Sequence, residues 1–123
     1  MNDQDKYSID LEVKFGPLEI IDVPQLISEC NKEWQNISLC NINESVIRLA
    51  VVKGEFHWHK HEKEDEFFFV IEGSFIIDLE DKSIDLKPKQ GFMVPKGVMH
   101  KTRAPSRASV LVIEKNTVVP TGD

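Results

Sequence analysis

Eight short segments of strand length follow one another after Ser45, and this succession restricts the fold more than any other feature of the chain. Each segment is apolar or alternates apolar with polar residues, as half-buried strands do. The segments are residues 46–53, 55–61, 66–72, 75–79, 83–87, 92–94, 98–103 and 108–114. Glycine, proline and aspartate turn signals separate them. Eight strands at this spacing predict an all-β fold, either a barrel or a two-sheet sandwich.

The same punctuation excludes two other fold classes. Glycine and proline recur too often in this part of the chain for a helical bundle. A parallel α/β sheet needs connections long enough for a crossover helix, and none of these connections is that long.

The preceding residues predict an arm and one helix. The first fifteen residues are irregular or edge-like, after which Asp22 is a candidate helix N-cap with Pro24 in the first turn. Apolar residues then recur at helical spacing: Val23, Leu26, Ile27, Cys30 and Trp34. We therefore expect one structural domain, in which an N-terminal arm and short helix (residues 1–45) pack on a barrel (residues 46–123).

Length and charge restrict the partners. The 123 residues are 41% hydrophobic, which is enough for one domain with a real core. The net charge of −6 argues against a nucleic-acid partner, because a phosphate backbone requires clustered positive charge. No apolar run approaches the roughly 20 residues that span a bilayer. The polar first ten residues and the two cysteines favour the reducing cytoplasm.

Three of the four histidines, His57, His59 and His61, alternate within five residues. On a strand they would share one face, and an H-x-H pair offers two imidazoles to one cation. Glu66 opens the next segment, and His100 follows the turn at residues 95–97. Imidazole suits Zn, Cu, Fe and Ni, and a carboxylate extends the choice to Mn. A solvated charged loop is the alternative explanation of the run HKHEKEDE.

Two segments resemble the two sequence motifs of the cupin family. In residues 54–73, His59 and His61 form the H-x-H pair, Glu66 follows after four residues and a glycine after six more. In residues 91–100, P-x-G-x-x-H ends at His100. The first motif fits only when it starts at His59, so His57 falls outside it. Together with the strands, the motifs cover residues 46–114.

Three positions depart from the family pattern. Four residues, rather than five, separate Gly54 from His59, and three, rather than five, separate Gly91 from Pro95. Ala104 stands where the family has asparagine. No departure removes a metal ligand of the family.

The resemblance implies a jelly-roll barrel in which His59, His61, Glu66 and His100 hold one divalent metal ion, either Fe, Mn, Zn or Ni. The chain is similar to small single-domain cupins labelled mannose-6-phosphate isomerase-like. The function expected from this is a small-molecule metalloenzyme of oxygenase or isomerase type. The alternative is non-catalytic binding of a sugar or small acid, so whether the chain is an enzyme stays open.

The remaining predictions concern His57, Arg48, the oligomeric state and the ligand. His57 is a weak candidate for a catalytic base at the pocket rim, or else an ordinary exposed residue. Arg48, alone in an apolar run, is either an anchor for an anionic group or, as we favour, an outward residue on an edge strand. A homodimer is expected, because jelly rolls leave sheet edges that an N-terminal arm can cover. The expected ligand is a small molecule in the barrel.

Overall fold

A computed structural model describes residues 6–123, which form eight strands and one short helix. The elements are β1 (Tyr7–Asp10), α1 (Val23–Glu29), β2 (Trp34–Ile42), β3 (Ser45–Glu55), β4 (Glu66–Glu72), β5 (Phe75–Leu79), β6 (Ser83–Leu86), β7 (Gly91–Val94) and β8 (His100–Lys115). The helix of this described range is too short to cross a membrane.

The strands pair in the order β1-β2-β3-β8-β4-β7, while β5 pairs with both β6 and β8. Every pair is antiparallel except β1 with β2, which run parallel on either side of a connection that contains α1. Strand β1 lies at the edge, as its edge-like sequence predicts. The predicted all-β class is confirmed, with one parallel pair that the sequence did not indicate.

Strand β8 joins the two halves of the barrel. The end that begins at His100 pairs with β5, and residues 108–115 pair with β3 and β4. The sequence predicts two strands here, and that prediction is wrong. A bulge opposite Lys53 leaves residues 105–107 out of the register. Pro105 therefore lies where no ladder hydrogen bond is needed, and the strand continues past it.

Strand β2 is not predicted by the sequence pattern, because Trp34 continues the helical spacing of the apolar residues before it. The helix ends at Glu29, and Trp34 instead opens β2, which pairs with β3 along its length. A register shift between Ser38 and Cys40 interrupts the alternation of faces that identifies a strand. The helix start is confirmed, since the Asp22 side chain accepts a hydrogen bond from Gln25 N at 3.2 Å.

The two faces of β3 contribute to two separate cores. One core lies under α1 and contains Ile27, Cys30, Leu39, Leu49 and Val51. The other fills the barrel and contains Trp34, Ala50, Val52, Phe56, Phe68, Val70, Phe75, Ile77, Leu86, Val94, Ala104, Ala108, Val110 and Val112. The functional cluster lies in the second core.

Arg48 lies inside the barrel. Strand β3 sits between β2 and β8 rather than at an edge, and Arg48 is only 4% exposed. Its Nε lies 3.3 Å from Glu114 Oε1, and Glu114 is also buried. The favoured interpretation of Arg48 as an outward edge residue is therefore wrong, because alternation along β3 turns it inward with Ala50 and Val52.

Candidate metal centre

The H-x-H segment is a loop, so the strand predicted at residues 55–61 is wrong. The loop rejoins the sheet at one point, where His59 and His100 form an isolated antiparallel bridge. The backbone N–H of each donates to the carbonyl oxygen of the other at 2.9 Å. This bridge, rather than a continuous strand, brings the imidazole of His59 next to that of His100, with ring centroids 4.4 Å apart.

The tight turn at residues 95–97, in the second motif, fixes the position of His61. Gly97 has a φ of +80°, a conformation that a side chain would strain, and its N–H donates to the carbonyl oxygen of His61 at 2.8 Å. The turn therefore holds the loop on one side and leads into His100 on the other.

Three imidazoles and one carboxylate meet inside the barrel mouth. One ligand atom from each of His59, His61, Glu66 and His100 lies within 4.8 Å of the others. Metal bonds of about 2.0–2.2 Å place opposite ligands up to about 4.3 Å apart, so a small contraction would let all four reach one ion. The structure thus brings together the four residues that the sequence selects.

Backbone carbonyls orient two of the rings. Nδ1 of His59 lies 3.0 Å from the carbonyl oxygen of His57, and Nδ1 of His100 lies 2.9 Å from that of Val98. A carbonyl oxygen only accepts, so each Nδ1 carries the hydrogen and donates it. The Nε2 of a neutral ring then keeps its free electron pair, which is the form that binds a metal.

His61 supplies the strongest indication of a missing partner. The residue is 2% exposed, yet neither Nδ1 nor Nε2 has a hydrogen-bond partner within residues 6–123. Its Nε2 lies 3.6 Å from Glu66 Oε1, too far for a hydrogen bond. Buried polar atoms without partners are rare and costly, so this ring fits a metal ligand.

The electrostatic environment of the cluster favours a neutral imidazole at His59 and an ionised carboxylate at Glu66. Burial, helped by the neighbouring imidazoles, lowers the pKa of His59 to about 4. Burial is the largest influence and opposes ionisation of Glu66 and His100, but the hydrogen bond between them and the other nearby groups together outweigh it, lowering the pKa of Glu66 and raising that of His100. Nε2 of His100 lies 3.2 Å from Glu66 Oε1, a position where a bound cation would replace the proton.

Glu114 is a fifth titratable group at the site, which the sequence reading missed. It lines the same cavity as His59 and Glu66. Burial, together with the nearby negative charge of Glu66, raises its pKa to about 9. A signal was available, because alternation from Ala108 through Val110 and Val112 turns Glu114 inward.

His57 lies outside the cluster. Its ring is exposed, and Nε2 lies 2.7 Å from the carbonyl oxygen of Thr121. This contact belongs to residues 117–123, which pack over the loop: a Cβ on Gly122 would lie 2.6 Å from Cβ of His59. A role for His57 at the pocket rim stays a prediction.

The cavity at the cluster is small and mostly apolar. It has a volume of about 40 Å³, room for a few water molecules. Its walls consist of Ile9, Trp34, Asn36, Ala50, Phe56, His59, Glu66, Phe68, Phe75, Thr102, Val112, Glu114 and Pro120.

A cavity of about 590 Å³ lies elsewhere, against the outer part of β8. Four of its six charged wall residues form ion pairs, with Lys101 Nζ 2.6 Å from Glu55 Oε1 and Arg103 Nε 2.7 Å from Asp78 Oδ2. None of the four clustered residues lines it. Size alone therefore does not identify the site.

Comparison with known proteins agrees with this geometry. The cupin domain model matches residues 46–114. An uncharacterized protein of Bacillus subtilis, YdbB, is 38% identical over 90 residues, which is 72% of this chain and 80% of YdbB. An uncharacterized protein of Aquifex aeolicus is 30% identical over 81% of this chain and 85% of its own length.

Solved structures show the same architecture. A cupin-2 domain protein from Shewanella frigidimarina superposes with a TM-score of 0.75 at 33% identity, covering 78% of this chain and 94% of that one. The matched range contains both halves of the cluster, from His59 to His100. The chain therefore belongs to the cupin family.

Proposed function

We propose that His59, His61, Glu66 and His100 bind one divalent metal ion in this barrel. The unpartnered ring nitrogens of buried His61 carry the proposal, because a bound cation satisfies them. Three imidazoles and one carboxylate suit Fe, Mn, Zn or Ni. Four protein ligands leave up to two coordination positions for water or a small molecule in an octahedral ion.

The bound ion is proposed to make the chain a small-molecule metalloenzyme of oxygenase or isomerase type. A bound metal polarises a coordinated oxygen and lowers the pKa of bound water. The apolar walls limit water, and Glu114 supplies a carboxyl group beside the four ligands. An enzyme is expected to keep a titratable group of this kind inside the cavity, whereas a binding module does not require one.

Non-catalytic binding of a sugar or small acid is the second candidate. The ring of His57, the base candidate at the rim, is engaged with the carbonyl oxygen of Thr121 rather than directed at the cluster. That contact favours a binding module, which needs no base.

The finer sequence predictions stay part of this proposal. They are membership of the mannose-6-phosphate isomerase-like subgroup, a cytoplasmic location, a partner set without nucleic acid or membrane, and one structural domain with residues 1–45 packing on the barrel of residues 46–123. A homodimer is supported by the exposed apolar side chains of the arm, Leu11, Leu18 and Ile20.

Metal analysis of untagged protein tests the proposal. We expect about one metal ion per wild-type chain, far less in His61→Ala, and an unchanged content in the control His57→Ala. A small-molecule screen then seeks compounds that raise the melting temperature of the metal-loaded form only; hits that turn over indicate the enzyme, and hits that do not indicate the binding module. Equal metal content in wild type and His61→Ala contradicts the site.

A further inference from the structure

A buried pair of side chains, Arg48 and Glu114, lies inside the barrel beside Glu66. Arg48 on β3 and Glu114 on β8 are each 4% exposed, with Arg48 Nε 3.3 Å from Glu114 Oε1. Glu114 lies outside the group of four whose ligand atoms converge. The pair is therefore adjacent to the proposed metal centre without belonging to its ligand set.

Strand register places Glu114 directly against Glu66. The two residues are paired across β4 and β8, and both side chains point into the barrel. Side chains of directly opposed residues are near neighbours, and Glu66 and Glu114 line the same cavity. Glu66 therefore has two neighbours, with His100 Nε2 3.2 Å from its Oε1 and Glu114 opposite it on β8.

The pair interrupts two otherwise apolar rows. The inward neighbours of Arg48 are Val46 and Ala50, and the inward neighbour of Glu114 is Val112. Buried charges lose their hydration, and well-packed apolar residues often replace such pairs without loss of stability. Arg48 Nε and Nη1 and Glu114 Oε2 also lack hydrogen-bond partners in the described chain. Stability of the fold therefore does not explain the pair.

We propose that Glu114 and Arg48 are positioning residues that fix the orientation of the Glu66 carboxylate for metal binding. In this proposal the two opposed carboxyl groups share one proton, so that Glu114 holds Glu66 through a hydrogen bond, and the guanidinium of Arg48 compensates the remaining negative charge. This inference rests on the proposed function, because it concerns how one of the proposed ligands is oriented. Partners of this kind typically contribute 10- to 100-fold to metal affinity.

Cobalt titration of the metal-free full chain tests the inference, because Co²⁺ reports affinity and its visible absorption reports ligand geometry. We expect Glu114→Leu to weaken Co²⁺ binding 10- to 100-fold and to change the absorption bands. Glu114→Gln keeps a donor for Glu66 and is expected to weaken binding less than threefold. A Gln variant as weak as the Leu variant would overturn positioning by this hydrogen bond.

Two further variants separate positioning from a general loss of structure. Arg48→Met/Glu114→Leu replaces the whole pair with apolar side chains, so it is expected to fold even where Glu114→Leu does not, and to bind Co²⁺ at least tenfold more weakly than wild type. Leu49→Ala, on the opposite face of β3, is expected to lose stability but keep the wild-type affinity and spectrum.

The outcomes distinguish this inference from the proposed function. A folded double variant that binds Co²⁺ within threefold of wild type, with the same spectrum, overturns the role of Arg48 and Glu114 alone. A wild-type chain that binds no Co²⁺ overturns the proposed metal site, and the inference with it.

Discussion

The two faces of β3 differ in what they bury. The face under α1 presents Leu49 and Val51 to the apolar cluster of Ile27, Cys30 and Leu39, whereas the barrel face presents Arg48 beside Ala50 and Val52. Apolar burial is the main source of stability, and buried charged groups cost free energy unless they are paired. The comparison indicates that the barrel face of β3 combines apolar packing with a buried charged group, whereas the face under α1 contributes apolar packing alone.

Among the variants considered, truncation of a side chain in the helix-covered core is expected to change the free energy of unfolding most. Leu49 is fully buried, so Leu49→Ala should lower the free energy of unfolding by about 2–5 kcal/mol through lost burial and a cavity. Urea unfolding of the metal-free protein measures it. The metal content of the folded fraction should stay at the wild-type value; a proportionate loss of metal would show that the two faces are not independent.

Metal binding should stabilise the barrel face and leave the other face unaffected. At a free metal concentration of 100 Kd, we expect about 2.7 kcal/mol of additional unfolding free energy in wild type. The same increment is expected in Leu49→Ala, and almost none in His61→Ala, which lacks one proposed ligand. Denaturation with and without metal measures both. An undiminished increment in His61→Ala would place the bound ion elsewhere.

The metal-free barrel interior should also lose stability in acid. The pKa of His59 is lowered to about 4 in the folded chain, against about 6.5 unfolded. The unfolded state therefore binds the additional proton first, and stability falls as the pH falls from about 6.5 to 4. The full shift corresponds to about 3.4 kcal/mol, and the partial exposure of the ring reduces our expectation to about 2 kcal/mol.

The variant His59→Asn isolates this contribution, since an amide can keep the hydrogen bond to the carbonyl oxygen of His57. Between about pH 6.5 and 4, the free energy of unfolding of wild type should fall by about 2 kcal/mol more than that of the variant. The difference between the two proteins should be constant from pH 7 to 8, which is the internal control. A difference that does not change below pH 6.5 contradicts the lowered pKa.

Local patterns predict much of this molecule, and long-range pairing accounts for the errors. The cluster of His59, His61, Glu66 and His100 is expected from the resemblance to the two cupin motifs, and the helix start is expected from Asp22. The histidine loop, by contrast, alternates like a strand but is not one, and His59 pairs with His100 on β8 as an isolated bridge. Strand β2 was missed because a bulge breaks its alternation, and Arg48 was misjudged because a sequence does not tell a central strand from an edge.

Loss of the helix cap is expected to have the smallest effect. The Asp22 side chain accepts the N–H of Gln25, and Asp22→Ala should therefore cost about 1 kcal/mol of unfolding free energy. Asp22→Asn keeps an acceptor and should cost only a few tenths of that value. Because α1 covers the face of β3 opposite the proposed metal centre, neither variant should change Co²⁺ affinity. A change in affinity on removal of the cap would show that the helix-covered core also positions the proposed ligands. The two faces of β3 would then not be independent, even for the variant expected to disturb the structure least.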